Sequence, residues 1–458
     1  MSKTVDAAIV GAGLSGLVSA YRLQRAGADV VVLEAKDRVG GRLMTSASRS
    51  GIGVDSGGSW VGLRQQAVLA LLEEFGIGLV PQYADGVNLL RIAGREYRYQ
   101  GEIPRLRPHE MLDLGRAMWV LDRIAKRLGA PPWTGDFAAR VDERSLGAWM
   151  RRNVRTAASR LVLEMVTAAS FGCRPTELSL LTFSAHVHGS GGLSDLIGVS
   201  DGALAYRIAG GAAALPARLA ESLGDRVRLG HAVTGIERHA DHVILTGPGR
   251  PPVRARRVIV AADPATVACI AHRPALPAGR AELQRRWQMG SGIKAHVVYR
   301  RPWWRERGLT GAAITDAGTA RITFDVSPPE TGEGVLTTFL GLPVSDDPAL
   351  LAPEAGDRRR QRVLEDLAAL FGPDVWTFED YIEKDWTRES WQSGCLLRVP
   401  TGVLSVGRPW LTEPVGALHW AGSESSHFGE GHMDGAVRAG TRAAEEVLAE
   451  LALKQLRT

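Results

Sequence analysis

Residues 5–42 read VDAAIVGAGLSGLVSAYRLQRAGADVVVLEAKDRVGGR. Ala7 to Val10 form a short continuous apolar run, the pattern of a strand buried on both faces. Gly11, Gly13 and Gly16 follow at GxGxxG spacing, and Leu14, Leu17, Val18 and Tyr21 then recur at helical period. Val30 to Leu33 form a second apolar strand that ends in Glu34, 18 residues after Gly16. The stretch is therefore a βαβ unit with its glycine turn in register. Such glycines permit a tight turn and bring a pyrophosphate close to a helix N-terminus. Glu34 stands where a carboxylate accepts hydrogen bonds from a ribose diol. Its charge disfavours a 2′-phosphate, which sets NADP aside and leaves NAD and FAD open. A glycine turn kept only for packing would leave the placed acid unexplained.

A second glycine-rich stretch, HWAGSESSHFGEGHMDGAVRAG, spans residues 419–440. Ala421 and Gly422 end a strand, and Gly435 and Ala436 fall in the first turns of a helix. Glycines between a buried strand and a helix let the backbone approach something flat or charged.

Composition narrows the classes. The chain has 458 residues, 45% hydrophobic and 23% charged, with a formal net charge of +5. That length accommodates two domains. The basic residues are scattered, so neither nucleic acid nor a membrane surface is an expected partner. No apolar run reaches the roughly 18–20 residues of a membrane span. No signal peptide is expected before the first strand, and no anchor in the polar tail LKQLRT. Cys173, Cys269 and Cys395 are widely spaced and odd in number, which fits a reducing, cytoplasmic setting and no metal site.

From DRVGGR onward the chain resembles the flavin-containing amine oxidase family, which includes monoamine, polyamine and L-amino acid oxidases. GVDSGGSWVG at 53–62, YRIAGGAAALPARLAESLGDRVRLGHAVTGIER at 206–238, GSGIKAHVVYRRPWWR at 290–305 and YIEKDWTRESWQSGC at 381–395 extend the likeness almost end to end, most closely to the mitochondrial monoamine oxidases. The resemblance implies an α/β, two-domain FAD-binding fold of the Rossmann, glutathione-reductase-like type. A substrate domain of mixed sheet and helices is inserted into it. Residues 1–85, 206–286 and 390–458 would form the discontinuous FAD domain. Residues 86–205, mostly helical by pattern, and 287–389 would form the substrate domain.

The same resemblance assigns residues. FAD would be held by the turn of Gly11, Gly13, Ser15 and Gly16, by Glu34 and Arg42, and by Gly58, Ser59 and Trp60. Val233, on a strand, would lie near the adenine, and Trp386 would line the flavin. Ser423 and Glu424 would support the ribityl–phosphate part, and the Met433 N–H would face the carbonyl beside N1. Reduction puts negative charge there, and a helix N-terminus offers N–H donors and partial positive charge. Cys395 matches the cysteine that monoamine oxidases join to the flavin 8α-methyl, so covalent attachment is an open expectation. Lys294 would hold a water at N5, and its apolar flanks suit a buried lysine. The substrate wall departs from the family, whose two cage tyrosines are replaced by Leu396 and His432. Phe324, Ile197 and Leu204 complete that wall, and it should be apolar on one side with one titratable group.

The implied reaction oxidises the C–H next to nitrogen of a primary or secondary amine, reduces O2 to H2O2 and releases an imine that hydrolyses. The partners are then a small amine and O2, with a homodimer compatible. The family also contains L-amino acid oxidases, for which Arg64 is the one arginine near a candidate site segment. Biosynthetic oxidases of larger natural-product amines or amides are a third reading. A catalytically silent scaffold is a fourth, and Lys294, Arg42 and the C-terminal loop argue against it. Fold alone does not choose among these.

Overall fold

The apolar run Val5–Val10 is the middle of a parallel sheet, with Ala7, Ala8 and Ile9 wholly buried. The structure, a computed structural model, describes residues 3–102, 104, 106–290, 292–340 and 348–455. Val5–Val10 pairs with Val30–Leu33 on one side and Arg250–Val260 on the other, all parallel. Val227–Arg228 lies beyond Val30–Leu33, and Leu418–Trp420 pairs in parallel with the last residues of Arg250–Val260. The register aligns Val10 with Leu33 and Val260, and Val260 with Trp420. Four strands therefore end at one edge, where open α/β sheets bind ligands. The first half of Arg250–Val260 belongs instead to an antiparallel set with Val243–Gly247 and Gly235–Arg238.

Helix Leu14–Arg25 crosses from the first strand to the second and packs on the last helix, Met433–Gln455. The approach is close because Gly440 has no side chain: a Cβ there would stand 2.3 Å from the Ser15 carbonyl. The Ser19 hydroxyl uses that proximity to donate to the Gly440 carbonyl at 2.9 Å.

A second sheet of seven strands runs in the order Asp380–Asp385, Ile293–Tyr299, Gly334–Leu340, Ile322–Asp325, Leu309–Thr315, Val87–Ile92 and Arg95–Tyr99. All pairs are antiparallel except Leu309–Thr315 with Val87–Ile92. Helices Pro108–Lys126, Ala157–Phe171 and Leu180–Ser190 enclose a core of Leu121, Trp133, Phe171 and Phe183. The stretch 86–205 is thus helical only after an unexpected hairpin, Val87–Tyr99. Its turn, Ala93 at φ 49° and Gly94 at φ 75°, has the backbone twist that suits two-residue hairpins. Leu89 and Leu90 are both buried, so the strand lacks the alternation that marks a half-exposed sheet. No helix among the described residues is long and apolar enough to cross a membrane.

Candidate active site

The glycine turn divides its labour. Gly11 takes φ 100°, a conformation side chains disfavour. Gly13 has open space where a Cβ would be. Gly16 packs instead of lining the site, since a Cβ there would stand 2.0 Å from the Gly11 carbonyl. Helix Leu14–Arg25 has no side-chain cap, so its first N–H groups face the opening without protein partners. Glu34 is buried at the end of Val30–Leu33 and accepts from the N–H groups of Ala12 at 2.6 Å and Lys36 at 2.9 Å. These bonds fix the carboxylate and leave lone pairs for a diol. The Ser15 hydroxyl accepts from the Gly422 N–H at 2.9 Å, which ties the two glycine-rich stretches together.

Arg42 lies beside this junction. It donates to Glu424 Oε1 at 2.6 Å and to Ser423 Oγ at 3.0 Å. Burial works against the guanidinium charge, but Glu424 outweighs it and raises the pKa. Asp263 lines the same region, and burial, then the Glu424 charge, pushes its carboxyl up. Glu424 Oε2 is buried with no partner. An orphaned carboxylate oxygen next to an open glycine turn and an uncapped helix is the signature of a site built for a hydroxylated, phosphate-bearing ligand. A flavin dinucleotide fits it.

Further along the same cavity lies Lys294, on the wholly buried strand Ile293–Tyr299. Its ammonium donates to the Gly57 carbonyl at 2.9 Å and to Ser59 Oγ at 2.6 Å, leaving a third donor. Burial lowers its pKa to about 8, against the opposing pull of Asp55. Asp55 is itself raised by burial, opposed by Lys294. The Trp60 ring lies 5.2 Å from Nζ and packs on Phe324. Trp386 is buried and donates from its indole to the Ser56 carbonyl at 2.7 Å.

One cavity of about 580 Å³ joins these groups to an apolar pocket. Gly11, Gly13, Ser15, Glu34, Arg42, Gly58, Ser59, Trp60, Trp386, Cys395, Ser423, Glu424 and Met433 line it with Lys294. Val233 lines it too, from the segment just before the strand Gly235–Arg238 and not from the strand itself. Ile197, Leu204, Phe324, Leu396 and His432 wall the far end beside Met165, Val166 and Ile322. Met433 opens the last helix, so its N–H has no intrahelical partner. Arg64 is absent from this lining; it is largely exposed and pairs with Asp195 at 3.0 Å. Burial pushes the Cys395 thiol up to about 11.

Three groups escaped the sequence reading. Asp55 ends the short strand Gly53–Asp55, inside the stretch GVDSGGSWVG, of which only Gly58, Ser59 and Trp60 were assigned a role. His186 lies in helix Leu180–Ser190, whose exposed and buried faces are hard to tell apart because almost every residue is buried. Glu430 sits in the C-terminal loop with both carboxyl oxygens buried and unpartnered, and burial raises it to about 8. The far end therefore carries two imidazoles, His432 and His186, where one titratable group was expected.

Comparison with known proteins agrees with this geometry. A family model of flavin containing amine oxidoreductases matches residues 14–448. The chain is 39% identical over 450 residues to AofH of Mycobacterium tuberculosis, whose name assigns it provisionally to the flavin-containing monoamine oxidases; 98% of this chain and 97% of that one are covered. It is 33% identical to an L-amino acid dehydrogenase of Synechocystis, with 98% and 95% covered. Among solved structures, cyclohexylamine oxidase from Brevibacterium oxydans superposes with a TM-score of 0.91 at 31% identity, covering 98% of this chain and 100% of that one. Putrescine oxidase bound to putrescine does so with a TM-score of 0.92 at 30% identity, covering 98% and 99%. With its parallel sheet, its glycine turn and its buried lysine in one cavity, this chain belongs to the flavin-containing amine oxidoreductase family.

Proposed function

We propose that the chain oxidises a primary or secondary amine at the carbon next to nitrogen. FAD would be its cofactor, O2 would be reduced to H2O2, and the imine would hydrolyse to a carbonyl compound. Bound flavin supplies the two-electron chemistry. The protein's own work is to exclude water, to orient the amine between Phe324, Leu396 and His432, and to hold a proton-bearing group at Lys294 Nζ. One observation carries the choice of amine over amino acid. Among the described residues Arg42 is the only arginine lining the cavity, and it is engaged by Glu424. A substrate carboxylate in the apolar pocket would be buried without a guanidinium to pair with it, which is costly. The assigned site residues are part of this proposal. So is the division into an FAD domain (1–85, 206–286, 390–458) and a substrate domain (86–205, 287–389). Each of the two large sheets draws its strands from one set of segments, which supports the division.

The test is anaerobic bleaching of the bound flavin by amines and their α-carboxylated analogues. Amines are expected to bleach it and the amino acids to leave it oxidised. Bleaching by amino acids alone would move the protein to the alternative reading.

Cys395 is, in this reading, the point of attachment to the flavin ring. Its thiol is protonated at neutral pH, so the link should form slowly and faster as pH rises toward 11. Reconstituted protein is expected to retain a growing share of flavin in the acid-precipitated pellet. Flavin found wholly in the supernatant at every pH would make Cys395 a mere neighbour of the ring.

A further inference from the structure

The apolar end of the cavity contains an ordered pair of imidazoles. His186, on helix Leu180–Ser190, stacks on His432 with centroids 4.6 Å apart and planes 13° from parallel. Phe171 closes the edge of the same ring at 4.8 Å and 62°. His186 Nδ1 lies 3.1 Å from the Glu430 carbonyl oxygen. A carbonyl only accepts, so Nδ1 carries the ring proton, and in a neutral imidazole Nε2 is left as an acceptor. His186 lines the cavity, and among the described residues no donor reaches Nε2.

We infer that His186 Nε2 is the acceptor that receives the N–H of the neutral substrate amine. The inference rests on the amine-oxidation reading and names the form of substrate that site takes.

The surroundings favour a neutral partner. Burial, then His432, pushes His186 well below its ordinary range, and burial lowers His432 as well, so neither ring carries charge at pH 7. Glu430, raised to about 8, is mostly protonated there too. Asp434, the charged group bearing on His432, is already engaged by Arg438 at 2.6 Å and by the N–H groups of Ala67 and Val68. Of the other carboxylates that line the cavity near this end, Asp325 is engaged by Arg305 at 2.6 Å and Glu102 accepts from the N–H groups of Val199 and Ser200. The chemical class is therefore an uncharged amine that keeps at least one N–H and carries an apolar remainder.

Anaerobic stopped-flow reduction of the FAD-loaded enzyme tests this with two series: benzylamine with its N-methyl and N,N-dimethyl derivatives, and cyclohexylamine with the same derivatives. The wild type is expected to prefer the N–H members over the tertiary amine by about ten- to a hundredfold in limiting rate over Kd. In His186→Phe that preference should fall below about threefold, chiefly through Kd. His186→Gln, which keeps an acceptor, should lie between. The preference in the wild type needs no variant to fold, and flavin content checks the variants. Absence of bleaching by every member of both series overturns the amine-oxidase reading and this inference with it. Bleaching that makes no distinction between N–H and tertiary amines, or a preference unchanged in His186→Phe, overturns the inference alone.

Discussion

Arg42→Ala is expected to destabilise the unloaded protein by about 3–5 kcal/mol and to abolish flavin retention on gel filtration. The guanidinium holds Glu424 Oε1 at 2.6 Å, and the Glu424 side chain is only 2% exposed. Removing the arginine leaves a buried carboxylate without its cation, close enough to Asp263 that its charge already helps to raise that carboxyl. The damage is mainly that stranded charge, not the lost contact. The double variant Arg42→Ala/Glu424→Gln should therefore recover most of the stability while still failing to hold flavin. Thermal melts of the four proteins in the cycle check this. A double variant no more stable than Arg42→Ala would show that the ion pair is not the source of the loss.

Lys294→Met is expected to keep flavin bound while slowing one flavin half-reaction about a hundredfold, the scale of a lost positioned proton-bearing group. Nζ is fixed by Gly57 and Ser59, and methionine fills the same space without a donor. Wild-type rates should inflect near pH 8, where Lys294 loses its proton, and the variant should lack that inflection. The stability consequence has a definite sign. The folded pKa of about 8 lies below the ordinary 10.5, so between those values the unfolded chain binds more protons. Wild-type stability therefore gains a rising contribution from about pH 8 to 10.5 that Lys294→Met lacks. Unchanged rates of both reduction and reoxidation would remove Lys294 from the chemistry.

The sequence by itself determined the βαβ unit, its glycine spacing and the acid at its end. It also determined the last strand and helix with glycines between them. These are local matters: continuous apolar runs make buried strands, helical periodicity makes Leu14–Arg25, and a φ of 100° at Gly11 requires glycine. Lys294 was legible as a buried lysine because Ile293, Ala295, Val297 and Val298 flank it on the strand.

Only the tertiary structure decided how these pieces meet. Ser15 bonds Gly422 across 407 residues, and Lys294 bonds Gly57 across 237. His186 enters the site because its helix packs under the C-terminal loop, where the Glu430 carbonyl, 244 residues away, sets its tautomer. The hairpin Val87–Tyr99 went unread, and the strand expected to carry Val233 begins only at Gly235, for the same reason. Leu89 and Leu90 are buried on both faces by neighbours remote in the chain, and Thr234 takes its bonds from Thr246 and Ala271. Local pattern reports burial and turns; the identity of the group on the other side of a buried face depends on closure of the whole chain.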